Sequence, residues 1–162
     1  MRSCNFTPMG VREHTYWAMS SFLPPGKVIG ALIDFGDDRR RIWPETSHPG
    51  VYRVHAIGDN WAEVTEGVPF SWSRERYDWS TPGVVTLDQL DSNVANPQAG
   101  WIVYTVIAAS GGGCTIECDR RRNFRATPRG LIAAAIMRTV GPRLIRDQFA
   151  RSLERIASAA PT

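Results

Sequence analysis

The sequence predicts an α+β fold: a strand, two short helices, an antiparallel meander of six strands and a long, kinked C-terminal helix. Three observations predict it. Through the middle of the chain, strand-like segments follow one another with only turn-forming residues between them. Such short connections force antiparallel neighbours, because a parallel pair needs a long crossover. From Thr127 to Ala159 the composition shifts to Ala, Leu, Ile and Arg, which favours helix. The length, 162 residues and 18.1 kDa, suits one hydrophobic core. A single domain over residues 1–162 is therefore expected, with residues 1–10 as a flexible tail.

The elements follow in order. Residues 11–20, rich in Thr, Tyr and Trp, read as the first strand, ended by Pro24-Pro25-Gly26. Residues 27–34 space Val28, Ile29, Leu32 and Ile33 along one face of a short helix with Pro near its start. A second short helix fits residues 37–43, before Pro44. Strands are then expected at 51–57, 61–66, 71–79, 84–90, 101–109 and 114–124. Between them lie turn formers such as Gly58-Asp59-Asn60 and Ser110-Gly111-Gly112-Gly113.

Thr127 fits the cap of the final helix and Pro128 its first position. Gly141-Pro142 falls inside it, and Pro lacks the amide proton of the helical ladder, so a kink is expected there. Leu131, Ile132, Ala135, Ile136 and Val140 share a face before the kink; Ile145, Phe149, Leu153 and Ile156 share one after it. On a straight helix these stripes lie roughly 100° apart. The kink is expected to turn both towards one sheet.

Composition removes several function classes. With 43% apolar and 22% charged residues, the chain is ordinary globular material. Of 19 basic residues all but Lys27 are Arg, a bias that suggests a GC-rich bacterial source. The net charge is only +3, a small surplus for a polyanion binder. No stretch approaches the roughly 18 apolar residues of a membrane span. The first residues lack a signal peptide's apolar run, so a cytoplasmic location is expected. Cys4, Cys114 and Cys118 form an odd set of thiols, which suits a reducing compartment.

No strong catalytic motif is present. The Gly-rich turn lacks a following Gly-Lys-Ser/Thr and reads as a hairpin. Cys114 and Cys118 share a strand face without further ligands, and His14, His48 and His55 show no ligand spacing. Neither metal nor cofactor is therefore expected.

Three phrases carry a resemblance to a known family. They are Glu75-Arg76-Tyr77-Asp78-Trp79, Gly112-Gly113-Cys114-Thr115-Ile116, and Arg125-Ala126-Thr127-Pro128-Arg129-Gly130. With the element order, which covers nearly the whole chain, they resemble the START-like (SRPBCC) superfamily, in its polyketide cyclase/dehydrase and lipid-transport branch. That resemblance implies a helix-grip fold, in which a curved seven-stranded antiparallel sheet wraps around the long kinked C-terminal helix and leaves a cavity between them.

Strand alternation then suggests what faces the cavity. Cys114, Ile116 and Cys118 form an apolar set that should point inward. If Ala109 opposes Cys114 across a four-residue turn, Trp101, Val103 and Thr105 also point inward and Tyr104 outward. Arg53 and His55 fall on the face of Ala62 and Val64, with Glu66 as a partner for Arg53. The alternative is a satisfied core His55 and a surface Arg53. Residues 71–79 present two mixed faces, of which the one with Tyr77 and Trp79 is expected inward.

The leading expectation is a small hydrophobic or amphipathic ligand (a lipid, a polyketide or a related metabolite). Trp17, His55, Tyr77, Trp79, Trp101, Thr105, Ile116, Cys118, Ile132, Ile136 and Val140 would line its cavity. The first alternative is a cofactor-independent polyketide cyclase/aromatase, with Arg53 and His55 polarising a carbonyl and moving protons. The second is a ribosome- or RNA-associated module using Arg120, Arg121 and Arg122, although consecutive strand residues alternate faces and nucleic acid is not the expected partner.

Overall fold

The computed structural model describes residues 10–159. The expected N-terminal tail lies outside them except for Gly10, which opens the first strand. Strand β1 is Gly10–Ser21, followed by helices α1 (Pro25–Leu32) and α2 (Arg39–Ile42). Strands β2 (Arg53–Ile57), β3 (Trp61–Val68), β4 (Ser71–Asp78), β5 (Val84–Ser92), β6 (Trp101–Ala108) and β7 (Cys114–Arg125) come next. Helices α3 (Pro128–Thr139) and α4 (Gly141–Ser158) end the order. The seven strands make one antiparallel sheet, ordered β1-β7-β6-β5-β4-β3-β2. This is the helix-grip arrangement expected from the resemblance.

Alternation sets the inner face. On β3, Ala62, Val64 and Glu66 are buried while Glu63 and Thr65 are half-buried. On β7, Cys114, Ile116 and Cys118 are fully buried, as their parity requires. The burial of α4 falls on Phe149, Ser152 and Leu153, with Ile145 and Ile156 beside them, so its predicted stripe packs on the core. Phe149 sits at the centre of an aromatic cluster, 5.0 Å from Trp17, 5.1 Å from Trp43 and 5.5 Å from Tyr104 between ring centres.

Three local features depart from expectation. The turn between β6 and β7 has five residues: Ala108 opposes Cys114, and Gly112 and Gly113 take φ of 85° and 78°. Val106 then pairs with Ile116, so Ile102, Tyr104 and Val106 point inward, and Trp101 and Thr105 point outward. One added turn residue thus reverses the whole strand. On β2 the ladder slips between Val54 and Ala56, making His55 a bulge. The slip sets Arg53 against Thr65 rather than Glu66, and His55 bonds the Thr65 hydroxyl at 2.8 Å. Both side chains are exposed on the outer face.

The third departure is α3. Its Thr127 cap forms as expected, with Oγ1 accepting the Gly130 amide proton at 3.2 Å. The helix then ends at Val140, and α4 starts afresh at Gly141-Pro142. Yet α3 packs through Gly130, Ala133 and Ala134, and leaves Leu131, Ile132, Ile136 and Val140 exposed. Small residues permit this close approach; a Cβ at Gly130 would collide with the Arg125 carbonyl. Among the described residues no helix is long and apolar enough to cross a membrane.

Candidate functional site

A cavity of about 420 Å³ lies between the inner face of the sheet and helices α3 and α4. Its apolar wall includes Leu32, Trp43, Leu87, Ile102, Tyr104 and Phe149. Val68, Phe70, Ile136 and Leu144 line it too, but are themselves exposed, so they form its mouth. The mouth therefore lies between the β3–β4 turn and the α3–α4 junction.

Charged side chains lie along the rest of the lining, and each guanidinium has a carboxylate. Arg39 reaches Glu66 at 3.0 Å, Arg120 reaches Glu13 at 2.6 Å, and Arg122 is hydrogen-bonded to Glu75. The pairing is required: an isolated buried charge costs several kcal/mol or more. Arg39 also donates to the Leu32 carbonyl at 2.8 Å and to the Tyr77 hydroxyl at 2.9 Å. It thereby caps the C-terminal end of α1 and holds the site at once. Tyr77 in turn donates to Glu66. Burial, and then the charge of Glu66, holds the Tyr77 phenol well above its ordinary value, so it keeps its proton at neutral pH.

The Glu75–Arg122 pair is incomplete on both sides, whereas in the Arg39–Glu66 pair only Arg39 Nε is buried without a partner. Glu75 Oε1 accepts from Ser73 at 2.6 Å and from Arg122 Nη2. Glu75 Oε2 and Arg122 Nη1 are buried without a partner. An unfilled acceptor and an unfilled donor thus sit on neighbouring side chains that line the cavity. Burial, and then the charge of Arg122, lowers Arg120 to about 10, so it stays charged near neutrality. Among the described residues no group of three or more His, Cys, Asp or Glu side chains is placed to hold a metal ion.

Of the residues expected to line the cavity, Tyr77 and Ile136 do so. Trp17, Ile116 and Cys118 are buried in the core beside it, and Trp79 packs against Phe35 at its edge. Trp101 and Thr105 lie on the outer face, where Trp101 stacks under Arg121. His55 and Arg53 lie outside, for the bulge described above, and Ile132 and Val140 project to solvent from α3. The expected Arg53–Glu66 contact is replaced by Arg39–Glu66. Arg120 and Arg122 are buried with their carboxylates, which removes them as an RNA-facing patch. Their signal was in the sequence: the parity of Cys114, Ile116 and Cys118 continues to Arg120 and Arg122. Arg39 carried no such signal, because a four-residue helix has no periodicity to read.

Comparison with known proteins places the fold. No protein-family model matches the chain, and no curated protein matches it. Solved structures do. The Zhui aromatase/cyclase from a Streptomyces species superposes with a TM-score of 0.74 at 13% identity, covering 94% of this chain and 100% of that one. Truncated norcoclaurine synthase from Thalictrum flavum gives 0.66 at 9% identity, over 94% and 98% of the two chains. A START superfamily protein from Mycobacterium smegmatis gives 0.65 at 7% identity, over 87% and 97%. At such identities the likeness concerns the fold, and the chain has the START-like helix-grip fold.

Proposed function

We propose that the cavity binds a small, neutral, amphipathic molecule. One observation carries this reading: an apolar cavity of about 420 Å³ holds balanced ion pairs and, at Glu75–Arg122, an unfilled acceptor beside an unfilled donor. The volume lies within the usual range for small-molecule sites. Charge balance disfavours a ligand with a full charge, which would lie in an apolar site without a counter-ion. The free Glu75 Oε2 and Arg122 Nη1 favour a group that both donates and accepts, such as a hydroxyl or an enolised ketone. Native mass spectrometry of protein purified from its own host tests this. The expected result is a co-purified neutral molecule that a Glu75→Gln/Arg122→Met variant retains poorly. A charged ligand, or equal retention, overturns it.

The second reading, a cofactor-independent cyclase, draws on Tyr77. Tyr77 keeps its proton and stands between Glu66 and Arg39 at the cavity wall; a ligand carbonyl would draw its O–H away from Glu66, with Arg39 stabilising enolate charge. Arg53 and His55 take no part in it. Turnover of a polyketide surrogate that Tyr77→Phe abolishes supports this reading; turnover that Tyr77→Phe leaves unchanged removes it.

A further inference from the structure

We propose, on the reading that Glu75 and Arg122 are the ligand's polar contact, that Gly100 is a positioning residue of the cavity. Having no side chain, it lets Arg122 lie flat across the inner face of the sheet and hold Nη1 beside Glu75 Oε2. Register shows why this room is needed. Asp88 pairs with Trp101, and Trp101 with Arg121, so one step further Gln89, Gly100 and Arg122 stand in a row across the sheet. The Gln89 amide donates to the Gly100 carbonyl at 3.0 Å, which fixes that step, and Gln89 pairs on its other side with Glu75. Glu75 on β4 and Arg122 on β7 are therefore three strand spacings apart, about 14 Å between backbones. Arg122 nevertheless bonds Glu75, and it does so by crossing position 100.

The crossing leaves no space for a side chain at Gly100. A Cβ there would lie 3.0 Å from Arg122 Cδ and 3.0 Å from Arg122 Nη1. Nη1 is the donor left without a partner. Gly100 is buried and its φ is not positive, so the backbone conformation does not call for glycine; the room does. The same Cβ would stand 2.9 Å from the Arg121 carbonyl oxygen, a second close approach at this position. Gln89, the other residue on the path, spends its Nε2 on the Asn96 carbonyl at 2.6 Å. A methyl group at position 100 would force the guanidinium to lift or turn. A turned guanidinium can keep one bond to Glu75 but no longer sets Nη1 beside Oε2, because its donors are fixed in one plane. Preference for a group that both donates and accepts thus depends on a residue that touches neither the ligand nor the carboxylate.

Equilibrium binding of 2-naphthol and of 2-methylnaphthalene tests the proposal, since the two are similar in shape and only the naphthol donates and accepts. The wild type is expected to prefer 2-naphthol by about tenfold. Gly100→Ala should bring the preference close to parity while 2-methylnaphthalene binds as in the wild type, a split that a general loosening of the fold would not produce. Added to Glu75→Gln/Arg122→Met, in which the preference is already lost, Gly100→Ala should change it no further. A folded Gly100→Ala that keeps the wild-type preference overturns the proposal and leaves the reading of the cavity intact, as does an equal loss for both probes. A wild type without any preference removes the reading of the polar pair, and the proposal with it. If Gly100→Ala does not fold, the triple variant decides. Its folding supports the proposal, because the clash is then with Arg122; its failure to fold overturns it, because Gly100 then only makes room for the Arg121 carbonyl.

Discussion

Arg39 shows what a single side chain contributes here. It is 3% exposed, closes the carbonyl end of α1, pairs with Glu66 and bonds Tyr77. Removing one member of a buried pair leaves the other charge uncompensated, so Arg39→Met is expected to lower stability by about 3–5 kcal/mol in urea unfolding. Arg39→Met/Glu66→Met should recover much of that loss, since an apolar pair costs less than a lone carboxylate. Equal losses in the single and double variants would show that the pair does not carry the effect. Burial raises the Cys118 thiol to about 12 and moves Cys114 in the same direction. Both should therefore resist iodoacetamide at pH 8 and react only on unfolding, as peptide mass spectrometry would show. The buried cysteines were legible from parity. The same parity reached Arg120 and Arg122, but three consecutive Arg invite a solvated reading, and only their carboxylate partners on β1 and β4 explain why they lie inside.

Among the elements, α4 and α3 teach opposite lessons. The α4 stripe was legible because its apolar positions coincide with the buried ones. On α3 the larger side chains face solvent, and Gly130, Ala133 and Ala134 do the packing, because close approach to the end of β7 demands small residues. Periodicity identifies which residues share a face; it does not say which face a neighbouring backbone will crowd. Ala134→Leu should therefore cost about 1–3 kcal/mol through overpacking, whereas Ile132→Ala should change stability by less than about 0.5 kcal/mol. Thermal unfolding of the two variants checks this, and the reverse order would place the sheet on the other face. Strand register was legible only where turns were regular. The added residue in the β6–β7 turn and the bulge at His55 each turned a predicted inward set outward, at Trp101 and Thr105 in one case and at Arg53 and His55 in the other.

For the whole molecule, element order was enough to give the helix-grip arrangement, while the cavity's chemistry was not readable because it depends on pairs far apart in sequence, such as Arg122 with Glu75. That buried chemistry has a pH signature. Burial holds the phenols of Tyr77 and Tyr104 well above their ordinary value. Below the usual tyrosine value of about 10, folded and unfolded chains both keep these protons and the stability is fully present. Above it the unfolded chain ionises first, so the melting temperature should fall as pH rises past 10, less steeply in Tyr77→Phe/Tyr104→Phe. An identical slope in the variant would remove these phenols as the cause. The central claim, that the space between sheet and helices is a site for an apolar or amphipathic molecule, is tested most directly by equilibrium binding of Nile red, a neutral apolar fluorophore. Saturable binding is expected in the wild type. Met137→Trp, which places a large ring from α3 into the lining, should weaken it about tenfold or more while the fold is kept. Absence of saturable binding, or equal affinity in a well-folded Met137→Trp, would contradict the account.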